Sequence, residues 1–386
     1  MQESSSSPGT ARPYAAARAI APTVHAYFAR RLAQARGEGQ EDLASLPAED
    51  HIEAVIDAAF WASLRREEGY TPKISLAYLS PEETVHPLLF ERALALAAGA
   101  LARVAPAVER PGIHLGVWRN GDGLSVWGAV RTIPKYCFVL EVAAPGLLVV
   151  KHHSGEEAGK YVNVTVLEGD HIKVVDEQAA GAAECPALVT SLLGFDSAAS
   201  WAHSVNVLVQ LAVSMRAHGR GGCLLVVPAG SETWRESIVS LAYAVSPPFA
   251  ELKQLSQEIT EGARSIVLQE ELARTIEWIA GLTAVDGAVA INDRHEVLGF
   301  GAKIARRRGF AQVEQVKLTE PIQLAAAALV HPEELGGTRH LSAVQFVHDQ
   351  RDAVALVASQ DGRFTIFEWS PCESMVHGHR VETLLL

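Results

Sequence analysis

Three short runs toward the C-terminal end of this chain carry residue types suited to a polyphosphate. They are Thr283-Ala284-Val285-Asp286-Gly287-Ala288, Gly336-Gly337-Thr338-Arg339-His340 and Val357-Ala358-Ser359-Gln360-Asp361-Gly362. The first enters the apolar run Val289-Ala290-Ile291, which reads as a buried strand, and the second precedes an apolar segment, Leu341 to Val347, at helical spacing. An exposed carboxylate at a strand mouth holds Mg²⁺ or Mn²⁺, or orients a sugar hydroxyl. A glycine beside it lets a ligand approach the backbone. Gly336-Gly337 offers turn N–H groups, Thr338 a hydroxyl, Arg339 a bidentate charge and His340 a further donor to phosphate. A helix over 341–347 would aim its positive end at the same anion. Gly299-Phe300-Gly301-Ala302-Lys303 adds a second tight backbone with a lysine. Asp-Gly and Gly-Gly are also ordinary turn dipeptides, so each piece taken alone reads as structure.

The elements that must position these residues follow from the hydrophobic pattern. Residues 1–13 are polar and Ser-rich, broken by Pro and Gly, and are expected to be a disordered tail. From 14 to about 108 the pattern is helical: Val24, Phe28 and Leu32 repeat at helical spacing, as do Ile52, Val55, Ile56 and Phe60, and the Ala-rich run 89–104 reads as another helix. Between 113 and 175 come six short apolar runs separated by turn dipeptides such as Asn120-Gly121 and Gly169-Asp170, which predict an antiparallel meander. Residues 197–249 mix a helix, marked by Val205, Leu208, Leu211 and Met215, with a Gly-rich turn and the buried strand 224–227. Ser246-Pro247-Pro248 and a polar run predict a linker or connecting helix over 251–265. The expected division is therefore an N-terminal region over 14–250, a second domain over 266–371 and a C-terminal tail over 372–386.

Composition narrows the function classes. The formal charge of −12 argues against bulk binding of nucleic acid or an anionic membrane. No apolar run is long enough to span a bilayer, and the start of the chain lacks the features of a signal peptide. The four cysteines, Cys137, Cys185, Cys223 and Cys372, show no CxxC spacing, the pattern of reduced thiols in a cytoplasmic protein.

Taken in order, Asp-Gly-Ala at a strand entrance, Gly-Thr-Arg-His before an apolar helix, and an apolar strand running into a Ser/acid-Gly hairpin resemble the diadenylate cyclase (DAC) domain. The resemblance covers roughly 264–371, under a third of the chain. A weaker one links His218-Gly219-Arg220-Gly221-Gly222 and the strand after it to the sensor-type regions attached to some DAC domains. The resemblance implies an α/β (α+β) fold: a C-terminal domain with a mixed central sheet flanked by helices, preceded by a helical and antiparallel-β sensor region. It also implies two domains face to face, each holding one ATP, so that each ribose 3′-hydroxyl attacks the other's α-phosphate with a divalent metal, Mg or Mn, assisting. Asp286, Arg339 and His340 would then be catalytic, with Asp286 binding the metal. Gly287, Ala288, Gly301, Ala302, Gly337, Thr338 and Ser359 would line the nucleotide. The implied partners are ATP, a second copy in a dimer or higher oligomer, and an unidentified signal ligand at the N-terminal region.

The sequence also departs from that pattern. The family's Arg-His-Arg reads Arg339-His340-Leu341, and its Ser-Glu-Glu reads Ala358-Ser359-Gln360, with Asp361 the nearest acid. Losing an arginine removes charge-assisted hydrogen bonds that leucine cannot replace. A nucleotide-binding sensor or scaffold without catalysis, and a cyclase of another nucleotide, therefore stand as alternatives. Arg306-Arg307-Arg308 offers replacement charge or a solvated face, and Asp293-Arg294-His295-Glu296 reads as a solvent-facing hairpin. Gly219–Gly222 reads as a strand-entry turn rather than a P-loop. His152-His153 point to opposite faces of a strand and make poor joint ligands, and His377-Gly378-His379 reads as exposed tail.

Overall fold

The helical stripes and the six strand runs of the first half find their partners in one layered unit, Met1–Val174. In the computed structural model, residues 13–66, 69–121, 123–153, 161–176, 202–260 and 266–386 are described. Residues 1–12 of the expected N-terminal tail and Cys185 lie outside them. Helices α1 (Ala15–Gly37) and α2 (Glu49–Ser63) turn Val24, Phe28, Ile52 and Ile56 onto a sheet, and all four are essentially inaccessible to solvent. That sheet holds β1 (Ser75–Tyr78), β2 (Leu88–Ala95), β3 (His114–Asn120), β4 (Gly123–Val130), β5 (Phe138–Ala144), β6 (Leu147–His153), β7 (Tyr161–Glu168) and β8 (His171–Val174). Its order is β2-β4-β3-β1-β5-β6-β7-β8, and the β1–β3 pair alone is parallel among them. The six predicted strands between 113 and 175 correspond to β3 through β8.

The region expected to be wholly helical differs. β1 inserts between β3 and β5, and the Ala-rich run opens as strand β2 before the short helix α3 (Ala98–Val104). Pairing overrides propensity here. Leu88 and Leu89 lie opposite Ala129 and Gly128 of β4, where a Cβ on Gly128 would sit 2.1 Å from the Leu88 carbonyl oxygen.

The second unit, Val175–Leu386, contains α4 (Ala202–Ala217), β9 (Gly222–Val227), β10 (Ile238–Phe249), α5 (Glu251–Thr260), α6 (Ile266–Leu282), β11 (Ala288–Asn292) and β12 (Val297–Ile304). β13 (Val316–Thr319), β14 (Ala328–Val330), α7 (Thr338–Asp349), β15 (Val354–Ala358), β16 (Phe364–Ser370) and β17 (Met375–Arg380) complete it. The nine strands run β10-β12-β11-β9-β15-β16-β17-β13-β14, mixed in direction, with β9–β11 and β13–β17 parallel. Helices cover both faces. Leu224 and Val226 of β9 pack with Leu211, Leu252 and Ile276, whereas Cys223, Leu225 and Val227 pack with Val344, Phe346 and Trp234 of the opposite layer. The period of two in β9 thus supplies both cores, which is why the strand is apolar throughout. The mixed α/β class with helix-flanked sheets is as expected.

The boundary at 250/251 is corrected by this sheet. β9 lies between β11 and β15, so residues expected in the sensor region form the centre of the second unit. The 251–265 segment is not a free linker where it is described: α5 buries Leu252 and Leu255. Nor is 372–386 a tail. β17 is hydrogen-bonded between β16 and β13, burying Val376, and Val381 and Leu385 extend the core. No helix among the described residues is long and apolar enough to cross a membrane.

Candidate nucleotide site at one end of the second sheet

Strand direction gathers the sequence motifs. Parallel β9 and β11 both start at one end of the sheet, with Gly222 and Ala288, and the antiparallel neighbours β12 and β15 finish there, Ala302 opposite Ala288 and Ala358 opposite Gly222. The turn before β9, the Asp286-Gly287 turn before β11, Lys303 late in β12 and the Ser359–Gly362 hairpin after β15 therefore share one end. The first turn of α7 joins them: the Arg339 guanidinium occupies the space over Gly221, where a Cβ would lie 2.8 Å from Nη1.

Asp286 projects into solvent, its side chain 88% exposed, and forms an ion pair with Lys303. The Lys303 hydrogen bond and charge, helped by the Arg339 charge and the Gly287 backbone, hold its carboxyl below the usual aspartate range. Asp286 is thus an ionised acid between two cations. On the other side of Arg339, the His218 Nδ1 accepts from the Arg220 backbone N–H at 3.2 Å, and its Nε2 stands 3.1 Å from the Thr283 hydroxyl. Thr283 donates to the Ala280 carbonyl, leaving its oxygen to accept from Nε2–H. This pattern defines a neutral imidazole, in keeping with burial and the Arg220 and Arg339 charges, which lower its pKa. Gln360 donates to the Arg220 carbonyl at 3.3 Å and Arg216 to the Gly362 carbonyl at 3.2 Å, tying the β15–β16 hairpin to the turn before β9 and to the end of α4.

The glycines divide into two kinds. A Cβ on Gly287, whose φ is +112°, would stand 2.6 Å from the Gly301 carbonyl carbon and 2.8 Å from the Ala302 oxygen. A Cβ on Gly301 would meet Ala242 at 3.0 Å. Both glycines, with buried Ala288 and Ala302, serve strand crossing; the space beside Gly287 expected for ligand is filled by β12. Gly337 is different, with nothing within 4 Å of its Cβ position, and it caps α7 with no side-chain hydrogen bond. Thr338 beside it is exposed, and the His340 N–H already donates to the Gly337 carbonyl at 3.0 Å, so the Thr338 and Arg339 amides are the ones left for an anion.

His340 is placed otherwise than expected. It is 3% exposed, meets Phe367 edge-on with ring centroids 6.1 Å apart, and lies beneath Gly336, where a Cβ would be 2.7 Å from Nδ1. Burial lowers its pKa, with Arg380 and Arg363 adding to the effect and Asp361 opposing it, and its Nε2 has no hydrogen-bond partner among the described residues. A neutral, inward ring supports the α7 start and does not sit beside Asp286 as a phosphate donor. Ser359 is half-buried, its N–H bonded to the Arg363 carbonyl at 2.9 Å. Burial pushes the Asp361 carboxyl up, but the Ser359 hydroxyl and Arg363 outweigh it and leave the pKa lowered.

Arg307 is not a free replacement cation, and His377-Gly378-His379 is not an exposed tail. Arg307 is held by Glu236 at 2.6 Å and lies 5.0 Å from the Phe310 ring centre, while His377 and His379 are buried in β17. In the 293–296 turn, Glu296 pairs with Lys253 at 2.9 Å and His295 is buried, so its charges are not simply solvent-facing. Sequence reasoning did not bring His218, Arg220 and Gly221 to this site; the one signal was a basic, Gly-rich turn entering a strand.

A divalent metal fits in a restricted way. Among the described residues no group of three or more His, Cys, Asp or Glu side chains forms a protein cage. Asp286 supplies one open carboxylate, which suits an ion completed by substrate phosphates and water.

Residues 41–131 match the family described as "Probable sensor domain DACNV". Among solved structures, this chain is similar to a hypothetical membrane spanning protein from Bacillus cereus, at 15% identity and a TM-score of 0.27, over 45% of this chain and 62% of that one. It is also similar to a double mutant of DacA from Staphylococcus aureus, at 12% identity and a TM-score of 0.25, over 45% of this chain and 85% of that one. The chain thus spans less than two thirds of the former protein's length. At such TM-scores the likeness assigns neither activity nor residues. No curated protein matches.

Proposed function

We propose that the second unit is a diadenylate cyclase, joining two ATP molecules into cyclic di-AMP, and that the first unit is the sensor controlling it. The observation that carries this reading is the convergence of Asp286, Lys303 and Arg339 with the uncapped start of α7 at one sheet end. Two cations and the first-turn amides of Thr338 and Arg339 suit a triphosphate, and an ionised carboxylate between the cations suits a ribose hydroxyl or a metal. The sensor half is supported by the family match over 41–131.

In this reaction each ribose 3′-oxygen forms a bond to the other nucleotide's α-phosphorus. The bond from that phosphorus to the bridging oxygen of the β-phosphate breaks, pyrophosphate leaves, and the hydroxyl proton passes to solvent or to Asp286. A bound Mg²⁺ or Mn²⁺ would neutralise charge on the phosphates and the departing pyrophosphate. Arg339 and the α7 amides hold and orient the phosphates, while Asp286 orients the 3′-hydroxyl or the metal. Positioning and charge neutralisation do most of the work in phosphoryl-group chemistry. One copy supplies one nucleotide, so a second copy must face it, and regulated self-association is the natural point of control.

One observation favours a second reading, a nucleotide-binding sensor without turnover. Leu341 stands half-buried where a cation is expected, and Arg307 is engaged elsewhere. Incubating the protein with ATP and Mn²⁺ or Mg²⁺ and resolving products by mass separates the two: cyclic di-AMP supports the cyclase, whereas Arg339-dependent ATP binding without product supports the sensor.

A further inference from the structure

The first unit holds an open cleft of roughly 720 Å³ with an unusual lining; the volume lies in the range that accepts a small organic molecule. Its floor is a buried chain of hydrogen bonds. The Ser75 hydroxyl lies 2.7 Å from His114 Nδ1, and His114 Nε2 lies 2.7 Å from the Tyr161 hydroxyl. His114 is 2% exposed, and burial, with the Lys151 and His153 charges, pushes its pKa down to about 4. The ring is therefore neutral at physiological pH, one nitrogen donating and the other accepting. Lys151 beside it is matched by Glu141 and lies 4.7 Å from the Tyr161 ring centre.

The rim is not matched in that way. Lys73, Arg110 and Arg131 are exposed and form no ion pair among the described residues. With Glu109 and Glu141 the acids of the lining, the cleft carries a surplus of two positive charges in a chain of formal charge −12. Like charges gathered around a concave surface repel one another and raise the local concentration of anions. His153 adds an independent sign. It lines the cleft against Tyr161, ring centroids 5.6 Å apart, and its buried Nδ1 has no hydrogen-bond partner among the described residues. A buried polar atom left unpaired is costly, and a ligand group can complete it.

We propose that this cleft binds a small oxyanion, a carboxylate- or phosphate-bearing molecule, with its charged group between Arg110 and Arg131. Its polar body lies against the Ser75–His114–Tyr161 chain and His153. Four of these six groups, Ser75, Arg110, His114 and Arg131, fall inside the segment matched as a sensor domain, while His153 and Tyr161 lie beyond it, so the site is not confined to that segment. Binding here is independent of whether the second unit turns over ATP. Only its meaning as a signal rests on the sensor reading.

The test is calorimetric titration of the full chain with inorganic phosphate and, separately, with succinate, which distinguishes the two sources of oxyanion. The expected result is saturable one-site binding of at least one probe. The Arg110→Ala/Arg131→Ala double variant, altered at exposed side chains, should weaken it at least about tenfold through loss of charge-assisted hydrogen bonds. Arg339→Ala in the other unit should leave it unchanged. Three results would overturn the proposal: no saturable binding of either probe at millimolar concentration, binding indifferent to the double variant, or binding lost in Arg339→Ala.

Discussion

Asp286 and Lys303 set the charge state of the proposed nucleotide site, and their pairing is open to titration. The Asp286 carboxyl titrates below the ordinary value of about 3.9, and its pKa should rise toward that value in Lys303→Met, followed by carboxyl NMR. A lowered folded-state pKa contributes stability above the unfolded value, and that contribution is lost as pH falls through the folded one. The buried His114 works in the opposite chemical sense but in the same pH direction. Its folded pKa is near 4 against an ordinary 6.5, so the unfolded chain takes up a proton between these values that the folded chain refuses. Stability of the first unit should therefore decline as pH drops from 6.5 toward 4, and thermal unfolding of His114→Gln should show a flatter decline. Glycines give a sharper contrast. Gly287→Ala forces a Cβ into the Gly301–Ala302 backbone at a positive φ and should destabilise by roughly 1–3 kcal/mol. Gly337→Ser places a good N-cap in open space and should stay within about 0.5 kcal/mol in denaturant unfolding.

At the scale of elements, legibility followed the hydrophobic pattern where neighbours in sequence decide it. β3 through β8 read correctly because each short apolar run was bounded by turn residues. The stripes of α1 and α2 read correctly because their apolar faces repeat at helical spacing. What failed depends on distant partners. Leu88–Ala95 has a helix-forming composition but is a strand because Gly128 admits its backbone; Met375–Arg380, polar and His-rich, is a strand because β13 and β16 flank it. The same cause hid the domain limit, since nothing local in Gly222–Val227 says that it joins β11 to β15. A chain of residues 266–371, the limits read from sequence, lacks β9, β10 and β17. It should give no cooperative thermal transition by circular dichroism, whereas 175–386 should give one.

For the whole molecule, the site was legible in part for a physical reason. Asp286, Arg339 and Ser359 announce themselves as polar residues beside glycines in turns. The turn of His218 to Gly221, which seats Arg339 and carries a neutral imidazole, comes from far upstream, and only sheet topology brings it there. His340 shows the converse: a polar residue in the right run whose ring points inward to serve packing. Two units result, one with a basic cleft and the other with Asp286, Lys303 and Arg339 at one sheet end, proposed above as sensor and cyclase. The decisive measurement is product analysis by mass after incubation of the full chain with ATP and Mn²⁺ or Mg²⁺, alongside Asp286→Asn and Arg339→Ala of unchanged fold. The parent should yield cyclic di-AMP and neither variant any. No product from well-folded parent protein would contradict the cyclase, and Arg339-dependent ATP binding without product would leave the sensor reading in its place.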